Sequence, residues 1–278
     1  MGLRMVKGMI VIAAALCAPA ALLPARAFAQ TSDSWQFTAY IYGYLPTVDT
    51  KATFPGPAGN TVNADTSVSP SEIIQHLKMG FLGAFEARKG SWGAFTDVMY
   101  LNVGGLESES HIRDIGGIGL PEGVSASTSF DMKSTVWTLA GTYRAIADPD
   151  ANLDVLAGAR LLDIKQMLGY QLSGNVGPIP LPGRQGSSEV SKDIWDAIVG
   201  VKGKVGIGTD RTWFLPYYLD VGTGQSRLTW QGIGGVGYRY SWGELTAVWR
   251  YMDYKGKSGE PIDSLSFSGP MLGVSFHW

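Results

Sequence analysis

The amino-acid sequence predicts an all-β protein, a transmembrane, antiparallel, up-and-down β-barrel of about ten strands. Three observations predict this fold. Long segments alternate between apolar and polar residues, short turns alternate with long polar loops, and tryptophans recur near both ends of the predicted strands. In a barrel of this kind the apolar face of each strand meets lipid, and the polar face lines the interior.

The N-terminal segment 1–29 has the features of a secretory signal peptide, so the barrel domain is assigned to 30–278. A positively charged start and an apolar stretch lead to an A-x-A cleavage site that ends at Ala29. Cys17, the only cysteine, lies inside this segment, and Leu16 stands where a lipoprotein signal would need a small residue. We therefore expect an exported mature chain without disulfides.

The charge of the chain argues against nucleic acid as a partner. Without the three basic residues of the signal peptide, the chain has 22 − 3 = 19 basic and 24 acidic residues, a net charge of 19 − 24 = −5. No basic stripe is present to neutralise phosphates. No later segment has eighteen consecutive apolar residues, so no membrane-spanning helix is expected. A water-soluble β-sandwich and a membrane barrel remain as the alternatives.

The length of the alternating segments distinguishes between these alternatives. Residues 193–207 read DIWDAIVGVKGKVGI, where every odd position from Trp195 onward is apolar or glycine, and Lys202 and Lys204 occupy even positions. Residues 227–242 repeat the alternation. Soluble strands usually have about five or six residues. The greater length favours a barrel whose apolar face meets lipid.

The turn signals divide the barrel domain into ten strands, and merging one hairpin would give eight. The predicted strands are 34–46, 79–89, 92–104, 130–147, 152–170, 191–207, 212–222, 227–242, 244–256 and 264–278. Short connections are assigned to periplasmic turns and long ones, near 47–78, 105–129, 171–190 and 257–263, to extracellular loops. An even number of strands places both chain termini in the periplasm.

The first extracellular loop is predicted to contain a short helix. Ser69, Pro70 and Glu72 form a capping box with proline at the first helical position. Ile73, Ile74 and Leu77 would give this helix an apolar face. It would either pack on the rim of the barrel or fold into its mouth as a constriction.

The tryptophans support the membrane assignment independently. All nine fall on the apolar face of the predicted strands. Trp230 and Trp242 are twelve residues apart, which corresponds to about 28 Å along the barrel axis at about 3.3 Å per residue and roughly 45° of tilt. That distance matches the lipid-facing band of a membrane barrel, so the sequence predicts an aromatic girdle at each interface.

The final segment, MLGVSFHW, carries a short motif. Met271, Gly273, Phe276 and Trp278 resemble the C-terminal assembly signal that bacterial outer-membrane proteins present to their insertion machinery, with Trp where the pattern usually ends in Phe. The stretches SWQFTAYIYGYLPTV and MGFLGAFEARKGSWGAFTDVMYL are similar to a group of uncharacterised proteobacterial outer-membrane barrel proteins. The resemblance implies this fold and the bacterial outer membrane as its location, and it supplies no site residues.

The candidate functional residues are the polar side chains that the alternation turns inward. They comprise six acids and eight bases, namely Glu86, Asp97, Asp154, Asp196, Asp220, Glu244, Arg88, Arg144, Arg160, Lys202, Lys204, Arg227, Arg239 and Arg250. Buried charges persist when they are paired, and side chains can fill a narrow barrel. The near balance of charge therefore favours an ion-pair network that fills the lumen over a narrow charge-selective pore.

Tyr40, Tyr42 and Tyr44 form an aromatic stripe on the same inward face. Such a stripe could stack against a ring-containing solute. It could equally pack and donate hydrogen bonds to the charged side chains of the interior.

Three functions remain open from the sequence alone. The first is a narrow channel or transporter for small solutes, and the second is a closed structural or interaction barrel whose loops bind surface components or partners. The third is an enzyme at the rim, near His111 and Asp114. No nucleophile elbow, phosphate loop or metal-ligand cluster occurs. We therefore expect no enzymatic activity and no cofactor, and as partners outer-membrane lipids, lipopolysaccharide, the assembly machinery and a small solute.

Overall fold

The structure, a computed structural model, describes residues 34–55, 61–107, 124–176 and 179–278. The predicted signal peptide lies outside the described residues, as does His111. Within these ranges the chain forms twelve strands and one short helix. No helix in the described part is long and apolar enough to cross a membrane.

The elements follow one another along the chain in a simple order. They are β1 (Trp35–Tyr44), β2 (Thr47–Pro55), β3 (Thr61–Val68), α1 (Pro70–His76), β4 (Leu77–Lys89), β5 (Trp92–Glu107), β6 (Val124–Ala147), β7 (Ala151–Val176), β8 (Ile179–Ile207), β9 (Trp213–Gly224), β10 (Leu228–Arg239), β11 (Glu244–Lys255) and β12 (Ile262–His277).

Ten of these strands, β1 and β4 to β12, close into one antiparallel barrel. Each strand pairs with the next along the chain, and β12 pairs with β1 in the register Ile41 to Val274. The prediction of an all-β, up-and-down, ten-stranded barrel is therefore confirmed, and the eight-stranded alternative is wrong. Short turns, such as Gly90 and Ser91 between β4 and β5, connect strands at one end of the barrel, where Trp278 also lies. We call this end the turn end. The opposite end is the loop end.

The last strand closes the barrel by pairing with the first. Phe37 and Trp278 exchange two backbone hydrogen bonds of 2.9 and 3.1 Å. On the outer surface, the ring of Phe37 contacts those of Trp35, Phe85 and Trp278, each with a centroid distance of 6.0 Å. The terminal tryptophan is thus part of an aromatic cluster at the turn end.

The predicted helix is present in the first long connection and has the predicted cap. The Ser69 hydroxyl accepts from the Glu72 backbone N–H (3.4 Å), and the Ser69 backbone N–H donates to the Glu72 carboxylate (2.7 Å). The hydrogen bond from the Ser69 hydroxyl, followed by that from its backbone, holds the pKa of Glu72 below its ordinary value. Ile73 is buried among the interior side chains, whereas Ile74 is exposed.

The loop end has much more regular structure than the sequence indicated. The predicted loop at 47–78 contains the hairpin of β2 and β3, and β2 pairs with the loop-end half of β12. Most of the predicted loop at 171–190 is strand, since the pairing of β7 with β8 continues to Val176 and Ile179. Serine, glycine and proline in these segments suggested loops, but cross-strand pairing with a long neighbour overrides their low strand propensity.

The outer surface of the barrel changes character at the level of Trp137 and Trp195, whose ring centroids are 6.2 Å apart. Towards the turn end the outward side chains are apolar and exposed, among them Leu139, Val155, Val199, Val205, Leu215, Leu219 and Leu272. Towards the loop end the outward side chains become polar. On β7 and β8, for example, Asp163 lies opposite Asp193 and Lys165 lies opposite Ser191 in the strand register. An apolar band therefore surrounds the turn-end half, and the loop-end half has a polar exterior.

The interior of the loop-end half is correspondingly apolar. Its buried core includes Val48, Phe54, Ile73, Met99, Leu101, Phe130, Met132, Leu162, Ile164, Ile194, Met252, Leu265 and Phe267, contributed by β2, α1 and the strands around the wall. A hydrogen bond of 3.1 Å from Gln166 on β7 to Thr50 on β2 joins opposite walls. The loop-end half is thus built like a water-soluble β-structure around its own apolar core.

Candidate functional site

The interior of the turn-end half is polar and holds the charged residues that the alternation placed inward. Its inner end is occupied by two buried ion pairs, between Arg160 and Asp220 and between Arg250 and Asp97 (2.6 Å). Neither side chain of the Arg160 pair is exposed, and the Arg250 and Asp97 side chains are 1% and 7% exposed. The apolar core of the loop-end half begins beyond them.

The Arg250 pair is held by neighbours on two further strands, β1 and β10. The Tyr42 hydroxyl donates to Asp97 and accepts from Arg250 Nη1 at 3.0 Å. Arg250 Nη2 also donates to Gln231 Oε1 at 3.0 Å. The Tyr44 hydroxyl donates to the Arg250 backbone carbonyl at 3.2 Å. These bonds fix the guanidinium across the lumen.

A second network lies nearer the turn end, where strands β4, β6, β7 and β8 face the lumen. Arg88 Nη2 contacts Glu86 at 2.7 Å and Asp154 at 2.5 Å. Lys202 pairs with the other Glu86 oxygen, and Arg144 makes two bonds to Asp154, one of them 3.2 Å from Nη2. Two carboxylates are therefore shared among three cations.

Glu244 forms the third network, at the mouth of the turn end. It accepts from Lys204, lies 3.3 Å from Arg239 Nε and 3.5 Å from His277 Nε2, and accepts from the Ser275 hydroxyl at 3.4 Å. Two of the predicted inward bases thus meet one predicted acid.

Two of the predicted residues do not join these networks. Arg227 has the inward parity of its strand, but β10 begins only at Leu228, so Arg227 lies in the turn after β9 with an exposed side chain. Its assignment to the lumen is corrected accordingly. Asp196 is buried and pairs with no cation among the described residues. It accepts instead from the Ser226 backbone N–H (2.9 Å) and hydroxyl (2.6 Å), so it caps the turn between β9 and β10.

A cavity of about 320 Å³ lies within the turn-end interior. Exposure of the side chains around it rises towards the turn end, from 12% for Lys202 to 23% for Lys204. Solvent therefore enters from the turn end and stops at the two buried pairs. Of the tyrosine stripe, Tyr40 and Tyr42 line this cavity, whereas Tyr44 belongs to the apolar core.

The sequence interpretation missed several residues that line the cavity. Phe95, Tyr217, Tyr218, Asn152 and Gln231 contribute to its wall. Four of these five follow the inward alternation of their strands, since Tyr218 precedes Asp220 by two positions on β9. Their side chains carry no charge, so a selection by inward charge does not include them. In the described part of the chain no group of three or more His, Cys, Asp or Glu side chains could hold a metal ion.

Comparison with known proteins identifies the fold and no family. No protein-family model matches the sequence, and no curated protein matches it. Among solved structures the barrel is similar to the outer membrane protease OmpT from Escherichia coli, at a TM-score of 0.50 and 8% identity over 89% of this chain and 98% of that one. It is also matched to Ail, the attachment invasion locus protein of Yersinia pestis, at a TM-score of 0.30 and 10% identity over 88% of this chain and 99% of Ail.

Proposed function

We propose that the chain is an integral β-barrel of the bacterial outer membrane that is closed to solute flow and presents its loop-end half to the outside as a contact surface. The observation that carries the proposal is the reversal of polarity at Trp137 and Trp195. The turn-end half is apolar outside and polar inside, as a barrel in lipid must be, and the loop-end half is the opposite, as a barrel in water must be.

The interior supports the closed form over an open channel. A conducting path would have to pass the Arg160–Asp220 and Arg250–Asp97 pairs, which lie almost wholly out of solvent, and then the apolar core beyond them. Separating a buried ion pair costs several kcal/mol because each charge loses its partner without regaining water. A channel or transporter is the second candidate, favoured by the solvent-accessible cavity at the turn end.

The remaining parts of the proposal concern partners. Lipid acyl chains would contact the apolar band, and lipopolysaccharide would contact the polar side chains just beyond Trp137 and Trp195. The motif of Met271, Gly273, Phe276 and Trp278 would be read by the assembly machinery during insertion. The proposal includes no catalytic step and no cofactor.

Labelling on intact cells tests the location and the direction of insertion. The predicted mature chain contains no cysteine, so single cysteines can be introduced at Lys165, on the loop-end exterior, and at Ser241, in the turn between β10 and β11. We expect a membrane-impermeant maleimide to label Lys165→Cys on intact cells and Ser241→Cys only after the outer membrane is permeabilised. Labelling of Ser241→Cys alone on intact cells would refute the orientation, and fractionation of both variants with soluble proteins would refute the location.

A further inference from the structure

The turn-end cavity carries more positive than negative charge, although the predicted mature chain is negative overall. Its lining contains five cations, Arg88, Arg144, Lys202, Lys204 and Arg250, and four acids, Glu86, Asp97, Asp154 and Glu244. Arg239, 3.3 Å from Glu244, adds a sixth cation at the mouth. The cavity is therefore electrostatically suited to an anion.

The cations around the cavity also retain unused hydrogen-bond donors. Each lysine ammonium has three N–H groups, and in the described structure Lys202 uses one on Glu86 and Lys204 one on Glu244. At the inner end of the cavity Arg250, only 1% exposed, has no acceptor for its Nε–H within the described part of the chain. A buried cationic donor without an acceptor is costly. An anion near Lys202 and Lys204 would supply acceptors for their unused N–H groups.

Part of the remaining wall is aromatic, which suits a ligand with a flat apolar body. Tyr40, Phe95, Tyr217 and Tyr218 line the cavity, and Lys202 Nζ lies 4.5 Å from the centroid of the Phe95 ring. The volume of about 320 Å³ would hold about ten water molecules at ~30 Å³ each. That is the lower end of the range for small-molecule sites, roughly 300–1,000 Å³.

We infer that this cavity is a binding site for a small organic anion, a carboxylate attached to an aromatic ring, which enters from the turn end. The carboxylate binds among Lys202, Lys204 and Arg144, and the ring stacks against Tyr40 and Phe95. The site needs no path through the barrel, because solvent reaches it from one side only. A closed barrel and a binding site at the turn end are therefore compatible, and the site does not depend on the function proposed above.

Calorimetric titration of the refolded barrel in non-ionic micelles tests the inference with three probes. Sodium benzoate has the ring and the charge, sodium acetate has the charge alone, and benzylamine hydrochloride has the ring with the opposite charge. We expect saturable binding of benzoate, weaker binding of acetate and none of benzylamine. Lys204→Gln should weaken benzoate binding about tenfold or more, because a hydrogen bond to a charged group is worth about 1.5–3 kcal/mol.

Lys165→Gln is the matched control, because Lys165 pairs with Glu189 on the loop-end exterior, far from the cavity. It should leave benzoate binding unchanged. If Lys204→Gln does not refold, Arg144→Gln replaces it, since Arg88 still pairs with Asp154 in that variant, and the same loss is expected. Equal binding of benzoate and benzylamine, which indicates partition into the micelle, would overturn the inference. Unchanged benzoate affinity in a folded cavity variant would overturn it as well.

Discussion

Replacing Arg160 by methionine is expected to lower the free energy of unfolding by about 3–5 kcal/mol. The substitution removes the only cation paired with Asp220 in the described structure and leaves a carboxylate that is wholly out of solvent. Asp220 Oδ1 has no hydrogen-bond partner among the described residues, so the substitution removes the charge-assisted bond that Asp220 receives from Arg160. Urea titration of the barrel in lipid vesicles, followed by tryptophan fluorescence, measures the change.

The double variant Arg160→Met/Asp220→Leu separates the cost of an unpaired charge from the value of the pair. Buried ion pairs can often be replaced by apolar residues at little cost, so the double variant should regain most of the lost stability. Lys165→Met, which breaks the exposed pair with Glu189, should cost less than about 1 kcal/mol. Equal stability of Arg160→Met and the parent chain would show that Asp220 is not a buried charge.

Replacing Val199 by arginine is expected to lower the free energy of unfolding in lipid by about 2–4 kcal/mol. Val199 points outward on β8, is 59% exposed and lies four residues towards the turn end from Trp195. If this surface meets acyl chains, the guanidinium must be transferred from water into hydrocarbon. The same urea titration in vesicles measures the effect.

Ser191 is the matched control for Val199, because it occupies the same face of the same strand on the other side of Trp195. Ser191→Arg should change the stability by no more than about 0.5 kcal/mol, as for an ordinary surface substitution in water. Similar costs for both variants would contradict a lipid boundary at Trp195. A small cost for both would contradict the apolar band as a lipid-facing surface.

The sequence predicted the turn-end half of the fold well because the lipid contact that we propose for it imposes a strict rule. Every outward residue there must be apolar, so Trp195, Val199, Val201 and Val205 mark one face of β8 without ambiguity. The loop-end half stands outside this rule. Its apolar residues, such as Ile194 and Val190, occupy the opposite parity because they form a core. A pattern with apolar residues on the outward face is what predicts a strand of a membrane barrel. A segment whose apolar residues face inward is therefore predicted as a loop.

The charged residues that face the lumen could be predicted from the sequence, but their ion-pair partners could not. Parity alone placed Glu86, Asp154 and Lys202 in the lumen, since neighbouring strands share their inward face. The partners depend on register and on reach across strands, for example from Arg88 on β4 to Asp154 on β7, and neither follows from alternation. The placement of Arg227 failed for a related reason, because parity has no meaning once a strand has ended.

Single-channel recording of the purified barrel in a planar bilayer tests the central claim most directly. The account predicts no steady conductance at moderate voltage, because the buried pairs and the apolar core fill the section beyond the turn-end cavity. A stable, reproducible conductance from correctly folded, heat-modifiable protein would contradict it, since ions would then pass the level of Arg160 and Asp220.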